Sequence, residues 1–486
     1  MPLPDVSRFD RLGTPGFLEL GSRLRALGLV LENVAPVMRI CENLIDPLRL
    51  PMRRYHLHQR SDPLAHAMRL FMFRDAISRD AARGVLGDAL LERCLDAGLV
   101  VPVANGELVC PLLLNLLGSL FVFCDDLTLG GDAVMGVGNT TGDLCRAATP
   151  SSRLRRILDL GCGAGTLALY LAQDADQVVA TDINPRALVI ARANAALNAI
   201  DNIEFRAGDL FAPVDGETFD LIVSQPPFVS QPEDTPPSTF LYGGRRGDEL
   251  PSRLISEAGR YLSPQGRAVV LVKWPSFDDE PLESRVRRLV ADGTLSVLLL
   301  AGPPIDLDEW CSGHAAMEQD SLGEAFARRA IELRTHLDAL GIRSLRMVFN
   351  VVAAGGERAF TRRFDVLPLS RASVSSSHID ALLASSALID APDQRLLAAR
   401  VGLPEGAELV ERAGRFRVQF ADLLAPVELS AGAAMLVSAA AGAASVSEAI
   451  AAVVAKLGPA HAQGALEGVR QALATGVLQA RPADRC

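Results

Sequence analysis

The segment Ile157-Leu-Asp159-Leu-Gly161-Cys-Gly163-Ala-Gly165 constrains this chain more than any other. A short apolar run carries an acid near its end, and three glycines at alternate positions lead into an apolar helical pattern. Glycines are needed where a Cβ would block a ligand's approach to the backbone or forbid the angles of a turn. A strand running through a glycine-rich turn into a helix opens a βαβ unit, and the chain beyond keeps that rhythm. Apolar periodicity predicts strands at 157–160, 177–181, 203–206, 219–224, 267–272, 295–301 and 344–352. Helices are predicted between them at 164–174, 185–198, 249–261, 280–292 and 321–339. The expected fold is α/β, a Rossmann-like doubly wound seven-stranded sheet over residues 136–365. The turn by itself leaves the ligand open, because nicotinamide-binding folds use similar turns.

A chain of 486 residues exceeds one ordinary core, and two further regions separate on pattern. Residues 1–135 show helix-like apolar spacing at Leu64, Met68, Leu70, Phe71 and Phe73. A helical stretch at 88–97 and short strands at 99–103 and 108–110 follow. That order predicts a helical, winged-helix-like substrate or cap domain. A polar, turn-rich linker at 370–377 leads to a second winged-helix-like domain over 378–486. There a strand is predicted at 415–420, with helices at about 429–456, broken near Gly442, and at 463–476.

The formal net charge of -10 argues against a general electrostatic grip on nucleic acid. Arg49, Arg53, Arg54, His56, His58 and Arg60 form one basic cluster, whose plainer reading is a solvated loop. The 48 basic residues include only two lysines, Lys273 and Lys456. Eight cysteines, from Cys41 to Cys486, include no C-x-x-C pair, so neither a metal site nor a disulfide framework is expected. Reduced thiols in a cytoplasmic protein are the default. The opening MPLPDVSRFD lacks the basic head and apolar core of a signal peptide. The run 431–455 is built largely of Ala, Gly, Ser and Val and carries Glu448, so no membrane span is expected.

Two further carboxylates narrow the ligand. Asp182, followed by Ile183, ends the second strand, where it can accept both hydroxyls of a ribose. Gly208-Asp209-Leu210 follows the third, where a carboxylate can accept from an adenine amino group. Asp159 with Gly161, Gly163 and Gly165, the acid after strand two and the acid after strand three resemble the successive motifs of class I S-adenosylmethionine-dependent methyltransferases. The resemblance implies that Asp159 and the glycines face the methionine part of S-adenosylmethionine. It also sets Thr140 and Thr141, in Gly138-Asn139-Thr140-Thr141, in a loop covering the cofactor methyl.

After the fourth strand comes Ser224-Gln225-Pro226-Pro227-Phe228. Two prolines cannot extend a ladder, so they fix a rigid turn at the carboxyl end of the sheet, where open α/β sheets place ligands. The segment resembles the Asn/Asp-Pro-Pro-Tyr/Phe motif of methyltransferases that modify planar nitrogens, the HemK-like and small-domain N-methyltransferase group. By that resemblance Gln225 and the Pro226 carbonyl accept hydrogen bonds from the target NH₂, and Phe228 packs on its plane. Pro227, Tyr242 and Trp274 are the candidate substrate contacts. Tyr242-Gly243-Gly244-x-x-Gly247-Asp248 resembles a Gly-Gly-x-x-Gly segment of the HemK-type enzymes. The family usually has Asn or Asp where this chain has Gln225, which sets the acceptor about 1.5 Å further out. Either the substrate sits further away or it is a different nitrogen nucleophile.

Other residues weigh less. His314 has no acid in motif spacing and reads as a satisfied histidine, and Asp306, Asp308 and Glu309 read as a solvated loop. The function expected is N-methylation of a peptide, protein or amino-acid-like substrate. An RNA or DNA base and a natural-product small molecule are the alternatives, with nucleic acid disfavoured by charge and no membrane partner.

Overall fold

A computed structural model describes residues 3–38, 49–126, 130–233, 235–290, 293–319, 321–356, 358–368 and 371–481. Cys41, Cys486, the end of the helix expected at 280–292 and the first linker position, Ser370, lie outside the described residues. The chain divides into two compact units, Met1–Gly142 with Arg153–Glu217 and Asp234–Tyr242, and Asp143–Ser152 with Thr218–Glu233 and Gly243–Cys486.

The first unit holds three parallel strands, β1 (Leu154–Leu160), β2 (Ala175–Asp182) and β3 (Ile203–Ala207), with β2 in the middle. Ile157, Leu158, Val178 and Val179 are fully buried, as a parallel sheet covered on both faces requires. The connecting helices are α1 (Thr166–Leu171) and α2 (Pro185–Leu197). Asn184 caps α2 by accepting from Arg186 N at 3.0 Å, and Pro185 supplies the preset first turn. Helix Phe9–Ala26 packs on α2 through Gly21, where a Cβ would lie 2.0 Å from the Leu197 carbonyl. A hairpin of Leu113–Leu117 and Leu120–Cys124 also leans on α2, so residues before and after 135 share one hydrophobic core.

Asn194, fully buried on α2, holds that junction. Its Oδ1 accepts from Phe123 N at 2.8 Å, and its Nδ2 donates to the Phe123 and Ala164 carbonyls at 2.9 Å each. An alanine here leaves three buried backbone groups unpaired. Asn194→Ala is expected to cost about 2 kcal/mol of stability, read as a lower denaturation midpoint at unchanged slope.

The second unit contains β4 (Phe219–Ser224), β5 (Leu262–Ser276), β6 (Ser296–Ala301), β7 (Ser344–Ala353) and β8 (Thr361–Asp365). β4 pairs parallel with β5 and β6 parallel with β8, while β7 runs antiparallel between β5 and β6. All seven expected strands form, and β8 makes eight. It escaped the apolar pattern because it is an edge strand, and edge strands carry charge against further pairing. Arg362 pairs with Asp390 and Arg363 with Asp365, while only Phe364 is buried.

The acidic run at 306–309 is not a loop. Asp306 Oδ1 accepts from Asp308 N at 2.9 Å and Glu309 N at 3.0 Å, capping helix α3 (Leu307–Glu318). An acid at the cap and two in the first turn complement the helix dipole. The run 431–455 becomes two helices, Ala431–Gly442 and Val446–Leu457. Ser445 accepts from Glu448 N, and the Glu448 carboxylate accepts from Ala444 N at 2.7 Å, a reciprocal cap that starts the second. Among the described residues no helix is long and apolar enough to cross a membrane.

Candidate active site

In the first unit, the carboxyl ends of β1, β2 and β3 bring Asp159, the three glycines, Asp182 and Asp209 to one edge. The turn after β1 is locked onto β2 by Gly161 N and Cys162 N, which donate to the Thr181 carbonyl at 2.9 and 2.8 Å. Gly161 has φ +76 with nothing within 4 Å of where a Cβ would stand, a left-handed turn that leaves bare backbone open to a ligand. Gly165 serves packing instead, because a Cβ there would lie 3.1 Å from that of Ala191.

Asp159 is fully buried. Its Oδ2 accepts from Ala168 N at 2.9 Å, while Oδ1 has no hydrogen-bond partner. Burial pushes the carboxyl up to about 7; the Ala168 bond offsets this in part, and the charge of Asp182 adds to it. Asp182 Oδ2 accepts from Gly163 N and Oδ1 from Asn184 N, each at 2.8 Å. Burial raises this carboxyl too, against both of those bonds. Ile183, beside it, leaves 59% of its surface exposed. Gly208 N donates to the Asp182 carbonyl at 3.1 Å, so Asp209 follows at the neighbouring strand end and is exposed. Leu210 holds φ +44, a strained conformation for a branched residue. Thr140 and Thr141 stand in the first turn of helix Asn139–Ala148 rather than in a loop. Thr141 is buried, and its Oγ1 accepts from Gly138 N at 3.4 Å.

In the second unit β4 ends at buried Ser224, and Gln225, Pro227 and Phe228 are half-buried around a buried Pro226. The glycine-rich segment after Tyr242 clasps this corner. A Cβ on Gly243 would stand 2.5 Å from the Pro227 carbonyl oxygen, and one on Gly247 2.6 Å from that of Phe228. Gly243 N donates to the Val229 carbonyl at 3.0 Å, and Ser230 Oγ to that of Arg245 at 2.6 Å. Below it Asp248, 4% exposed, faces Arg246 at 3.1 Å and Arg285 at 3.3 Å. Tyr242 is half-buried at the end of the first unit's last segment.

Trp274 does not line this corner. It is 1% exposed, its indole N–H donates to Asn350 Oδ1 at 3.0 Å, and the Arg285 guanidinium lies 4.9 Å from its ring centre. The residue beside it does. Lys273 Nζ lies 5.5 Å from the centre of the Phe228 ring and 5.3 Å from that of Trp310, and burial lowers its pKa to about 8. Lys273 stands out in the sequence by its rarity, and two signals together mark it as a residue of this corner. Neighbours on a strand face opposite ways, so a core Trp274 turns Lys273 outward, and lysine is almost absent from this arginine-rich chain. His314, which has no acid in motif spacing, faces Glu318 one helical turn on at 3.2 Å.

Residues 143–278 match the family described as Methyltransferase small domain. Over 204 residues the chain is 32% identical to the tRNA1(Val) (adenine(37)-N6)-methyltransferase of Porphyromonas gingivalis (strain ATCC BAA-308 / W83), covering 40% of this chain and 78% of that protein. This chain is a class I S-adenosylmethionine-dependent methyltransferase of the HemK-like, small-domain group. Identity is higher over a shorter stretch of the release factor glutamine methyltransferase of Xylella fastidiosa (strain 9a5c). It reaches 40% over 131 residues, 25% of this chain and 47% of that protein, so this methyltransferase spans less than half the length of that relative. Among solved structures, a ribosomal protein L11 methylase from Lactobacillus delbrueckii subsp. bulgaricus matches 44% of this chain and 80% of that chain. The identity is 19% and the TM-score 0.27, a likeness too slight to carry an argument. S-adenosylmethionine is the cofactor of this methyltransferase. The first unit's edge fits such a group, with bare backbone at Gly161 and an unpartnered buried oxygen on Asp159.

Proposed function

We propose that this methyltransferase transfers a methyl group to a planar or amino nitrogen of a peptide, protein or amino-acid-like acceptor. The observation that carries the reading is the second unit's corner, a half-buried amide acceptor and aromatic ring on a double-proline turn clasped by a glycine-rich loop. S-adenosylmethionine, when bound, supplies an electrophilic methyl group on a sulfonium.

The remaining work falls to side chains and backbone. Asp159 and the glycine turn hold the cationic methionine part, Asp182 accepts from the ribose hydroxyls, Ile183 and Leu210 cover the adenine and Asp209 accepts from its amino group. Thr140 and Thr141 border the methyl. Gln225 Oε1 and the Pro226 carbonyl accept hydrogen bonds from the two N–H groups of the acceptor nitrogen, which points its lone pair outward, Pro227 and Phe228 support its plane, and one of those protons is lost to water once the nitrogen carries the methyl group. Catalysis then comes from positioning, not from a strong base. Identity with a release factor glutamine methyltransferase supports an amide acceptor. Coverage of an adenine methyltransferase supports a base as second reading, against the net charge of -10.

Both end regions are read as winged-helix-like modules that recruit a macromolecular acceptor. Helices Arg79–Leu86 and Asp88–Asp96 adjoin a ribbon in which Leu108 pairs with Val103-flanking Pro102 and with Ile77, and Val401–Gly402 pairs with Gln479–Ala480 after the last helix. The deciding experiment is transfer of a labelled methyl to peptides, free amino acids and nucleic acid, with mass spectrometry of the product. Gln225→Ala is expected to lower turnover at least about tenfold with cofactor affinity unchanged. Equal turnover would remove Gln225 from the acceptor site.

A further inference from the structure

Lys273 is the charged group at this corner that the reading above leaves unused. It sits near the carboxyl end of β5, on the strand face opposite that of core-buried Trp274, with its ammonium between the rings of Phe228 and Trp310. Two aromatic faces attract a cation but replace only part of its hydration. Burial alone lowers its pKa, to about 8, with no contribution from a nearby acid. On the elements around it Glu309 of α3 is exposed, and the other charges nearest the corner are engaged elsewhere. On the clasping loop Arg246 faces Asp248, and Asp248 faces Arg285. On α3, His314 stacks against Trp310 with centres 5.0 Å apart and faces Glu318, which also accepts from Arg329 at 2.6 Å. Trp310 is thereby fixed as a wall, and among the described residues no carboxylate answers Lys273.

We infer that Lys273 is an anion-recognition residue of the acceptor site, selecting a nitrogen that stands next to a carboxylate and rejecting cationic amines. The inference rests on the peptide reading proposed above and narrows it to acidic segments. A second lysine or arginine amine beside Phe228 would meet a like charge in a partly desolvated site. Nucleic acid is the weaker candidate for the anion, because a phosphate backbone is held by several cations in a row, whereas the arginines near Lys273 face carboxylates and the chain's net charge is -10.

The test is calorimetric titration of the full-length protein, saturated with S-adenosylhomocysteine, using acetylated and amidated pentapeptides Gly-Asp-Gln-Gly-Gly and Gly-Arg-Gln-Gly-Gly and an oligoadenylate. Wild type is expected to bind the aspartyl peptide at least about tenfold more tightly than the arginyl one. Lys273→Arg should keep that preference. Lys273→Met, which retains the apolar stem, should erase it with S-adenosylhomocysteine affinity and melting temperature unchanged, and in methyl transfer the loss should fall on KM. Equal binding of the two peptides by wild type, or a preference that survives in Lys273→Met, overturns the inference and leaves the peptide reading standing. Binding of oligoadenylate alone, or of no peptide, overturns both.

Discussion

Asp182→Ala should weaken S-adenosylhomocysteine binding about 100-fold, the loss of two charge-assisted hydrogen bonds to a ribose. The carboxylate also has local work, because its two oxygens already accept from Gly163 N and Asn184 N at 2.8 Å. Each oxygen keeps a second lone pair for a hydroxyl. The alanine therefore loosens the glycine turn as well as removing the ligand contacts. The conservative change separates these effects from size. In Asp182→Asn one oxygen becomes an NH₂ that faces a backbone N–H, donor against donor, so Asn is expected to fall nearly as far as Ala. Calorimetry on the folded variants reads both. An Asp182→Asn protein that binds like wild type would show that the ribose is held elsewhere.

The parts of this enzyme that were legible in the sequence are those where one cue has one physical meaning. Strands buried on both faces give continuous apolar runs, so β1, β2 and β4 to β7 were readable, β3 was readable from the alternation of Ile203 and Phe205 with charged residues, and the glycines betrayed the turn after β1 because Gly161 needs a left-handed φ. Where two cues compete, reading failed. On β8 the charges that protect an edge hid a strand, and at 306–309 acids that cap α3 looked like a solvated loop. Thr140 and Thr141 read as turn residues because hydroxyls favour turns and helix starts alike. At the double-proline corner the wrong neighbour drew attention: Trp274 is large and aromatic but belongs to the core, and the strand's alternation turns half-buried Lys273 toward the Phe228 ring. Clasping of the double-proline turn by Gly243 and Gly247 is a long-range packing fact that spacing alone does not contain.

Asp159 should make both stability and cofactor binding depend on pH near neutrality. Its carboxyl is raised by burial from 3.8 to about 7 in the folded protein. Between those values the native chain keeps a proton that the unfolded chain has lost. Stability therefore falls as pH rises through that window, by up to about 4 kcal/mol, and levels off above about 7. The sign is opposite to that of a salt-bridged carboxylate, whose contribution is lost on acidification. A cationic ligand beside the unpartnered Oδ1 reverses the balance, since it favours the ionised form and drives the proton off. S-adenosylmethionine should accordingly bind more tightly as pH rises from 6 to 8, by about tenfold per unit below 7 and little above it. Binding at pH 6 should release close to one proton, seen as a dependence of calorimetric heat on buffer ionisation. Burial lifts the Cys162 thiol well above its ordinary value, and Asp182, whose carboxyl burial also raises against backbone donors, adds a dependence of the same sign that Asp159→Asn leaves in place. In Asp159→Asn the pH dependence of both quantities should flatten, with the variant gaining stability relative to wild type as pH rises from about 4 to about 7 and holding that gain above it, while binding the cofactor more weakly. A variant that retains the wild-type proton release would assign that release to another group and remove Asp159 from contact with the cofactor's cationic end.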